Sequence, residues 1–587
     1  MNPQMTRKRL GERRVSRRWM LGAMGATASA AGLAALRCSD GDKLPAGLTP
    51  SESDDETPGS GANPTPRTQE GRRGHTLRHT GFVVRDATFD PHKTQASPYY
   101  GHQALVFSRL LSYQDQAKGT IVPDLAASMP ETPDGQTLVF RLKPNARWHD
   151  VTPLNGRPVT ADDVKYSIIR QLSGDSSFVR KAQWSVVDSI EVSSASTITF
   201  KLKSPMAAMH HLFADVNSFI VAPETSGDKN DIDGSSQAGS GPFQWVEWVD
   251  GRYASVRRNP NWHGGDGRPN LDGISLVQPA TTADMEADLR TRDLDAALVG
   301  RVLADKLKKA RPQLIETTMG HSQFFGMRFG IEHDPYNDPR FRSALTYAID
   351  RRAMIQKFFG GSGGVNPWVS WPMTDWALPE TELTALPGYR PGEGGRQEDI
   401  REARALLDAF KAEKPLKEDL PLFVLEETEA ALQFGATIKE QLAANLGLTQ
   451  VRVVPVPLNQ LAGLLVSGQA PWAAGPDNGW VDLDDWVYPY FHSSGTKNSF
   501  PLRDAELTAM IDAQRVELNK DSRREIGFNI QRRLLALNVG VNLISERVVA
   551  LSWPYVKGLP LDTADGFQHR LADTWIDTAD STFRGRA

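Results

Sequence analysis

The chain has 587 residues, 40% hydrophobic and 24% charged, too long for one core and ordinary for a globular protein of two or three domains. Its net charge of −4 hides seven net positive charges in residues 1–37, so the remainder stands at −11; that excludes phosphate-dominated nucleic-acid binding, which needs clustered Lys and Arg. The single cysteine, Cys38, excludes an intramolecular disulfide and any multi-cysteine metal site.

Residues 1–37 have the layout of an export signal. A basic opening leads into Ser16-Arg17-Arg18-Trp19-Met20-Leu21 and then an uncharged Ala/Gly-rich run to Leu36, the pattern of a secretory signal with a twin-arginine pair. Seventeen residues this rich in Ala and Gly are short and weakly apolar for a stable membrane span. Cys38 follows directly, where a bacterial lipoprotein carries its lipidated cysteine, although Arg37 stands where such sites have a small residue. Lipidation with membrane tethering at Cys38, and an incidental cysteine behind a plain signal, are both open. Residues 38–74 are rich in Ser, Gly, Pro, Thr and acids without apolar periodicity, so they read as a disordered linker.

Folded sequence starts near His75. HQALVFSRLLS, between Gly101 and Ser112, reads as an apolar helix, and TLVFRL at 137–142 alternates Leu138, Phe140 and Leu142 against polar neighbours, a strand with one buried face. Thr160-Ala161-Asp162-Asp163 caps a helix carrying Val164, Ile168, Ile169 and Leu172. TITFKL at 197–202 is a second alternating strand. Turn residues Gly239, Gly241 and Pro242 precede a strand of alternating aromatics, and residues 282–299 read as helix then strand. Asp338-Pro339 opens a helix over 339–359, since Asp caps free backbone N–H groups and Pro is tolerated in the first turn. Phe341, Leu345, Ala348 and Ile349 form its buried stripe, with Arg342, Arg351 and Arg352 left to water. Helices at 398–410 and from about Ala430 to Leu446, the latter closed by Gly447, lead into the strand VRVVPV.

Five ordered blocks over roughly residues 95–555 resemble the extracytoplasmic solute-binding proteins of family 5, the oligopeptide and dipeptide receptors of ABC importers. They are LAASMPETPDGQTLVFRLKPNARWHD with PVTADDVKYSIIR and STITFKLKSP; GSGPFQWVEWVDGRYASVRRNPNWHGG; the helix and strand of 282–299; the Asp-x-Arg-Phe-Arg-x-Ala-Leu-x-Tyr-Ala-Ile-Asp-Arg run from Asp338; and the 398–456 segment. The resemblance implies an α/β, bilobed periplasmic-binding-protein fold of the large class II type, with an extra subdomain on lobe one. Residues 75–315 would form lobe one, 316–545 lobe two, and 546–587 the C-terminal return to lobe one. It implies no cofactor, and as partners a peptide or peptide-like solute and the permease subunits of an ABC transporter, with the receptor itself a monomer.

The segment PDNGWVDLDDWVYPYFHSSG at 476–495 resembles the family stretch in which an Asp pairs with the α-amino group of a peptide. Two alignments put that position on Gly479 or on Leu483, and neither supplies an Asp. Asp477, Asp482 or Asp484 could substitute by a local shift, or Asp482, Asp484 and Asp485 could form a helix N-cap cluster that touches no solute. Trp480 is the expected pocket indole, with Trp486 beside it, in a second lobe that also carries Trp368, Trp371, Trp376 and Trp472. The competing class is a secreted hydrolase: Gly360-Gly361-Ser362-Gly363-Gly364 spells GxSxG, but a nucleophile elbow needs a strand before the serine and a helix after it. A receptor of the same fold could instead take an oligosaccharide or another non-peptide solute, or serve as an extracellular sensor or chaperone. His149, His210, His211, His263 and His321 have no metal-motif spacing and read as satisfied or solvent-facing side chains.

Overall fold

The computed structural model describes residues 72–585 except 82, 84–88, 94–96, 116–118, 176, 228–230, 233–236, 266, 366–373, 427–428, 458–459, 462–463, 466, 468, 478–481, 496–501 and 561–567. The export signal, Cys38 and the linker up to residue 71 lie outside the described residues, as do Trp368, Trp371 and Trp480. No described helix is long and apolar enough to cross a membrane.

One curled, 11-stranded mixed sheet runs through the molecule. Its spine is an antiparallel pair, Ile315–Phe329 and Gly540–Ser552. At one end of this pair Val549–Ser552 bond Ala296–Val299, and the sheet continues through Thr76–Thr80, Gly273–Val277, Tyr253–Arg258 and Phe243–Val249. At the other end Phe324–Phe329 bond Trp472–Asp477, beyond which lie the parallel strands Leu420–Leu425 and Val451–Val456. The two long strands therefore belong to both halves. Their ladder is regular from Ile315 to Gly320, breaks register, and resumes at Phe324, an irregularity of the kind that bends and twists a strand locally.

Among the described residues, buried apolar side chains gather in four clusters. Leu77, Ile274, Ala297, Leu551 and Trp553 belong to the core of lobe one. Met327, Phe329, Phe341, Leu345, Phe434 and Leu543 belong to that of lobe two, and a satellite core beside it holds Trp376, Leu483, Trp486, Ile511 and Ile530. The fourth cluster fills the extra subdomain on lobe one: Leu138, Phe140, Ile198 and Phe200 come from a three-stranded sheet, and Val164 and Ile168 from the helix packed on it. Phe213 stands edge-on to Phe140 and Phe200 at 4.7 and 4.9 Å between ring centres.

Local expectations hold where the pattern is local. The strands at 137–141, 197–202 and 451–456 form. Asp163 accepts the backbone N–H of Thr160 at 2.8 Å and starts the helix Ala161–Ser173. Glu429–Leu446 buries Phe434, Ile438 and Leu442, and Gly447 ends it at φ +69°.

Three expectations need correction. The apolar run from Gly101 to Ser112 is not one helix: the helix Ser97–Val106 stops and the strand Leu111–Asp115 begins. Ile169 faces solvent, because it lies off the stripe that Val164 and Ile168 define on that helix. The 339–359 helix is two, Pro339–Tyr347 and Arg351–Phe359, because Asp350 caps a new start by accepting Ala353 N–H at 2.9 Å. The break changes which side chains are wet. Phe341, Leu345, Ala348 and Ile349 are buried as expected, but so are Arg342 and Arg351. Arg342 donates to the carbonyls of Tyr336, Leu537 and Asn538 at 2.6–2.9 Å, serving a turn oxygen and two oxygens at the end of helix Lys520–Leu537 that have no intrahelical partner.

Because hydrogen bonds from a charged donor contribute about 1.5–3 kcal/mol, Arg342→Ala is expected to lower unfolding stability by about 3 kcal/mol. Arg352→Ala, at an exposed position, should change it by no more than about 0.5 kcal/mol. Urea denaturation of the two variants checks the contrast.

Candidate functional site

The 476–495 segment leads into the helix Leu483–Phe491, for which Asp482 is the N-cap, accepting Asp484 N–H at 2.8 Å. Its carboxylate also meets Arg523 in a two-pronged pair, Nη2 to Oδ1 at 2.6 Å and Nη1 to Oδ2 at 2.8 Å. Both side chains are buried, at 0% and 5% exposure. Burial opposes ionisation of Asp482, but the charges of Arg523 and His211 and the bonds it accepts outweigh that and hold its carboxyl well below the usual range.

His211 comes from the lobe-one side. Its Nε2 lies 3.3 Å from Asp482 Oδ2, and its Nδ1 lies 2.6 Å from the Tyr113 hydroxyl. Burial pushes the His211 imidazole down and the Tyr113 phenol up. A backbone hydrogen bond, Ala207 N to Arg515 O at 2.7 Å, ties the same two surfaces together. Asp484 is buried, accepts from Gln514 Nε2 at 2.6 Å and pairs with Arg515 at 3.2 Å; burial is the largest influence on its carboxyl and raises it. Asp485 keeps partial access to solvent. Its burial, with Asp215, Asp482 and Asp484 nearby and Arg180 opposing them, pushes its carboxyl up to about 7.

A cavity of about 150 Å³ lies at this junction. Gly119, Ala207 and His211 wall it from the lobe-one subdomain, and Asp375, Trp376, Leu518, Lys520 and Arg523 from lobe two. Lys520 pairs with Asp375 at 2.6 Å, and the Arg523 guanidinium sits 4.9 Å from the centre of the Trp376 ring. Both halves therefore contribute to one space, with charged groups of both signs and one indole on its wall.

Of the residues expected to form the site, Asp482 and Asp484 come together beside this junction with their carboxylates already paired inside the chain. Trp486 is buried in the satellite core, edge-on to Phe491 at 5.4 Å. Trp480 lies outside the described residues, as does the side chain of Asp477; the Asp477 backbone ends a strand opposite Phe324. Trp376 belongs to the set of second-lobe indoles that the sequence singles out, but nothing in their own stretches of sequence marks Arg523 or Tyr113 as residues of this junction. Arg523 lies some forty residues beyond its partner, so no local signal identifies the pair.

The GxSxG serine has no elbow geometry. Helix Arg351–Phe359 precedes it, Gly363–Gly364 then pair with Ser545 and Glu546, and Ser362 Oγ donates to Arg547 O at 2.9 Å. Among the described residues, no group of three His, Cys, Asp or Glu could hold a metal ion. His149 bonds Gly241 O at 3.1 Å and His263 bonds Asp124 at 2.9 Å.

Two lobes sharing a crossing strand pair, with a cavity walled by both, define the periplasmic-binding-protein class. Solved structures share the fold. A periplasmic binding protein, DppA of Helicobacter pylori in complex with the peptide STSA, superposes with a TM-score of 0.71 at 17% identity, over 87% of this chain and 99% of that one. AgaA of A. tumefaciens R10 in complex with agropinic acid gives 0.67 at 22% identity, over 86% and 98%. A Brucella ovis protein provisionally named as an ABC transporter peptide-binding protein is 27% identical over 462 residues, 77% of this chain and 78% of its own. Residues 120–499 match the model of the bacterial extracellular solute-binding proteins, family 5 (middle). The chain belongs to that family. It is an exported solute-binding protein and not an enzyme.

Asp482→Ala strands a buried guanidinium and is expected to cost about 3–5 kcal/mol by denaturant melting. The raised Asp485 carboxyl makes the folded state hold its proton more tightly than the unfolded one, whose value is near 4. Its contribution is therefore most favourable below about pH 4 and is lost as pH rises towards about 7. Asp485→Asn should flatten the fall in melting temperature between pH 5 and 7.5 relative to the native chain.

Proposed function

We propose that this protein is the substrate-binding component of an ABC importer, capturing a peptide or peptide-like solute between its lobes and presenting it to the permease subunits. The observation that carries the reading is the cavity walled by both halves at Ala207, His211, Trp376 and Arg523. On this reading residues 75–315 with 546–587 form lobe one and 316–545 lobe two, and the register break between Gly320 and Phe324 is the hinge. Asp477 and Trp480 meet the solute, whereas Asp482, Asp484 and Trp486 set the helix that carries the wall.

Binding must favour the closed state to be useful. Moving an open-to-closed balance from 99:1 to 1:99 takes about 5.5 kcal/mol of differential affinity, within the roughly 8 kcal/mol of a micromolar site. A small organic acid is the second reading, supported by the agropinic acid bound to the similarly folded AgaA. At the N-terminus, Arg17-Arg18 direct export, the signal is removed before Cys38, a lipid is attached there, and residues 39–74 serve as the tether.

Native mass spectrometry of the purified protein should reveal a co-purified solute, and re-adding it should raise the melting temperature and quench or enhance tryptophan fluorescence without being consumed. Consumption of the solute, or its binding with no change in lobe separation by small-angle scattering, would refute the clamp. Intact mass of the membrane-extracted protein should match a diacylated chain beginning at Cys38; an unmodified N-terminus lacking Cys38 would remove the tether.

A further inference from the structure

A second cavity, of about 160 Å³, lies within lobe two where the break between the helices Pro339–Tyr347 and Arg351–Phe359 meets the loop before helix Gly392–Glu413. It opens at exposed Arg352, Gly392 and Glu393 and reaches inward to Arg351 and Tyr389, which are 2% and 5% exposed. The Arg351 side chain is held on two sides. Its Nη1 donates to Gly388 O at 2.5 Å and, more weakly, to Thr346 O and Ile349 O at 3.3 and 3.4 Å. Its guanidinium carbon stands 4.1 Å from the centre of the Tyr389 ring, which fixes the guanidinium over that face.

The other edge of the fork meets no acceptor within hydrogen-bond distance among the described residues. Arg351 Nε and Nη2 are shielded from solvent and have no hydrogen-bond partner among the described residues, and the same is true of the Tyr389 hydroxyl. Burial pushes the Tyr389 phenol up, against the charge of the neighbouring Arg351 and a contact, too long for a strict hydrogen bond, that the phenol oxygen accepts from that guanidinium, so at neutral pH its O–H remains a donor. Buried donors of this kind cost about 1–3 kcal/mol each when unmet, more when charged, and a native site that leaves them calls for a water or an ion.

The carboxylates that line the cavity have hydrogen-bond partners other than the free edge of Arg351, although the charge of Asp399 still acts on Arg351 and Asp350 stands 3.7 Å from Arg396. Asp399 accepts from Arg390 at 2.8 Å, Asp350 caps helix Arg351–Phe359, and Glu393 accepts from Gln397 at 3.0 Å. Arg390 is further occupied by Glu402, outside the lining. Arg396, also on the wall, spends its terminal nitrogens on the carbonyls of Tyr347 and Ala348 and stands close enough to Arg351 for the two charges to repel. The parallel N–H pair on the Nε/Nη2 edge of a guanidinium matches two oxygens of one oxyanion, and this volume admits such a group or several waters.

We propose that lobe two carries a small-oxyanion site, separate from the interlobe cleft, in which Arg351 Nε–H and Nη2–H and the Tyr389 hydroxyl grip a carboxylate or phosphate group. The bound anion adds to the negative charge that Asp350 and Asp399 already set against Arg351 and Arg396, and locks the break between the two helices to the loop before helix Gly392–Glu413. It does not depend on the identity of the transported solute.

The test is thermal melting and isothermal calorimetry of the full exported chain in sodium phosphate, sodium acetate and sodium chloride at matched ionic strength, pH 7. Phosphate or acetate should raise the melting temperature saturably in the millimolar range, and chloride should not; the arm that saturates at lower concentration names the anion class. Tyr389→Phe removes one donor without disturbing the Arg351–Gly388 bond and should weaken the apparent affinity at least fivefold. Arg351→Lys, which keeps the charge but loses the paired edge, should abolish the saturable shift. Equal responses to all three salts, or a Tyr389→Phe chain that titrates like the native one, would overturn the proposal, because the donors would then be met by water and any anion effect would arise elsewhere.

Discussion

The antiparallel pair Ile315–Phe329 and Gly540–Ser552 is the constraint on which the rest of the molecule depends. Backbone hydrogen bonds run along it from Ile315 opposite Ser552 to Arg328 opposite Gly540, so each lobe is completed by strand ends that begin in the other. A lobe of this kind cannot leave its partner without breaking a ladder. It can turn about it, and the register break between Gly320 and Phe324 is where the ladder is least continuous. Binding between the lobes thus becomes a matter of angle and not of association.

Given that coupling, the polar junction at Asp482 has a clear physical role. A buried ion pair is weak evidence for net stability, because desolvation offsets attraction. What Arg523 and His211 do is specify one arrangement: the start of helix Leu483–Phe491, the satellite core and the lobe-one subdomain are held in register where their groups converge on one carboxylate. The neighbouring Asp485 does the reverse. It is ionisable but disfavoured in its charged form, so the junction is fully satisfied at one residue and underdetermined three residues on.

The lobe-two interior shows a second use of arginine. Arg342 answers two carbonyls at a helix end and one in a turn with short bonds, and Arg351 answers one carbonyl strongly and leaves an edge with no partner among the described residues. Arg342 lies on the first helix, before the break, and Arg351 opens the second, after it. The break at Asp350 rotates the second helix, turns Arg351 inward against Tyr389, and creates the cavity beside it.

Taken alone, the sequence determined the family, the strands at 137–141, 197–202 and 451–456, the capped helix starts at Thr160 and Asp338, and the stripe Phe341, Leu345, Ala348 and Ile349. Each is written in residues within a turn or two of one another, where alternation, capping and helical spacing act directly. Tertiary structure alone decided that the 339–359 helix breaks at Asp350, that Arg342 and Arg351 are buried, that Asp482 belongs to Arg523, and that His211 reaches it from the opposite lobe. Those outcomes depend on what a distant segment presents, and a charged side chain shows in its own neighbourhood no sign of whether a carbonyl, a carboxylate or water will be waiting for it.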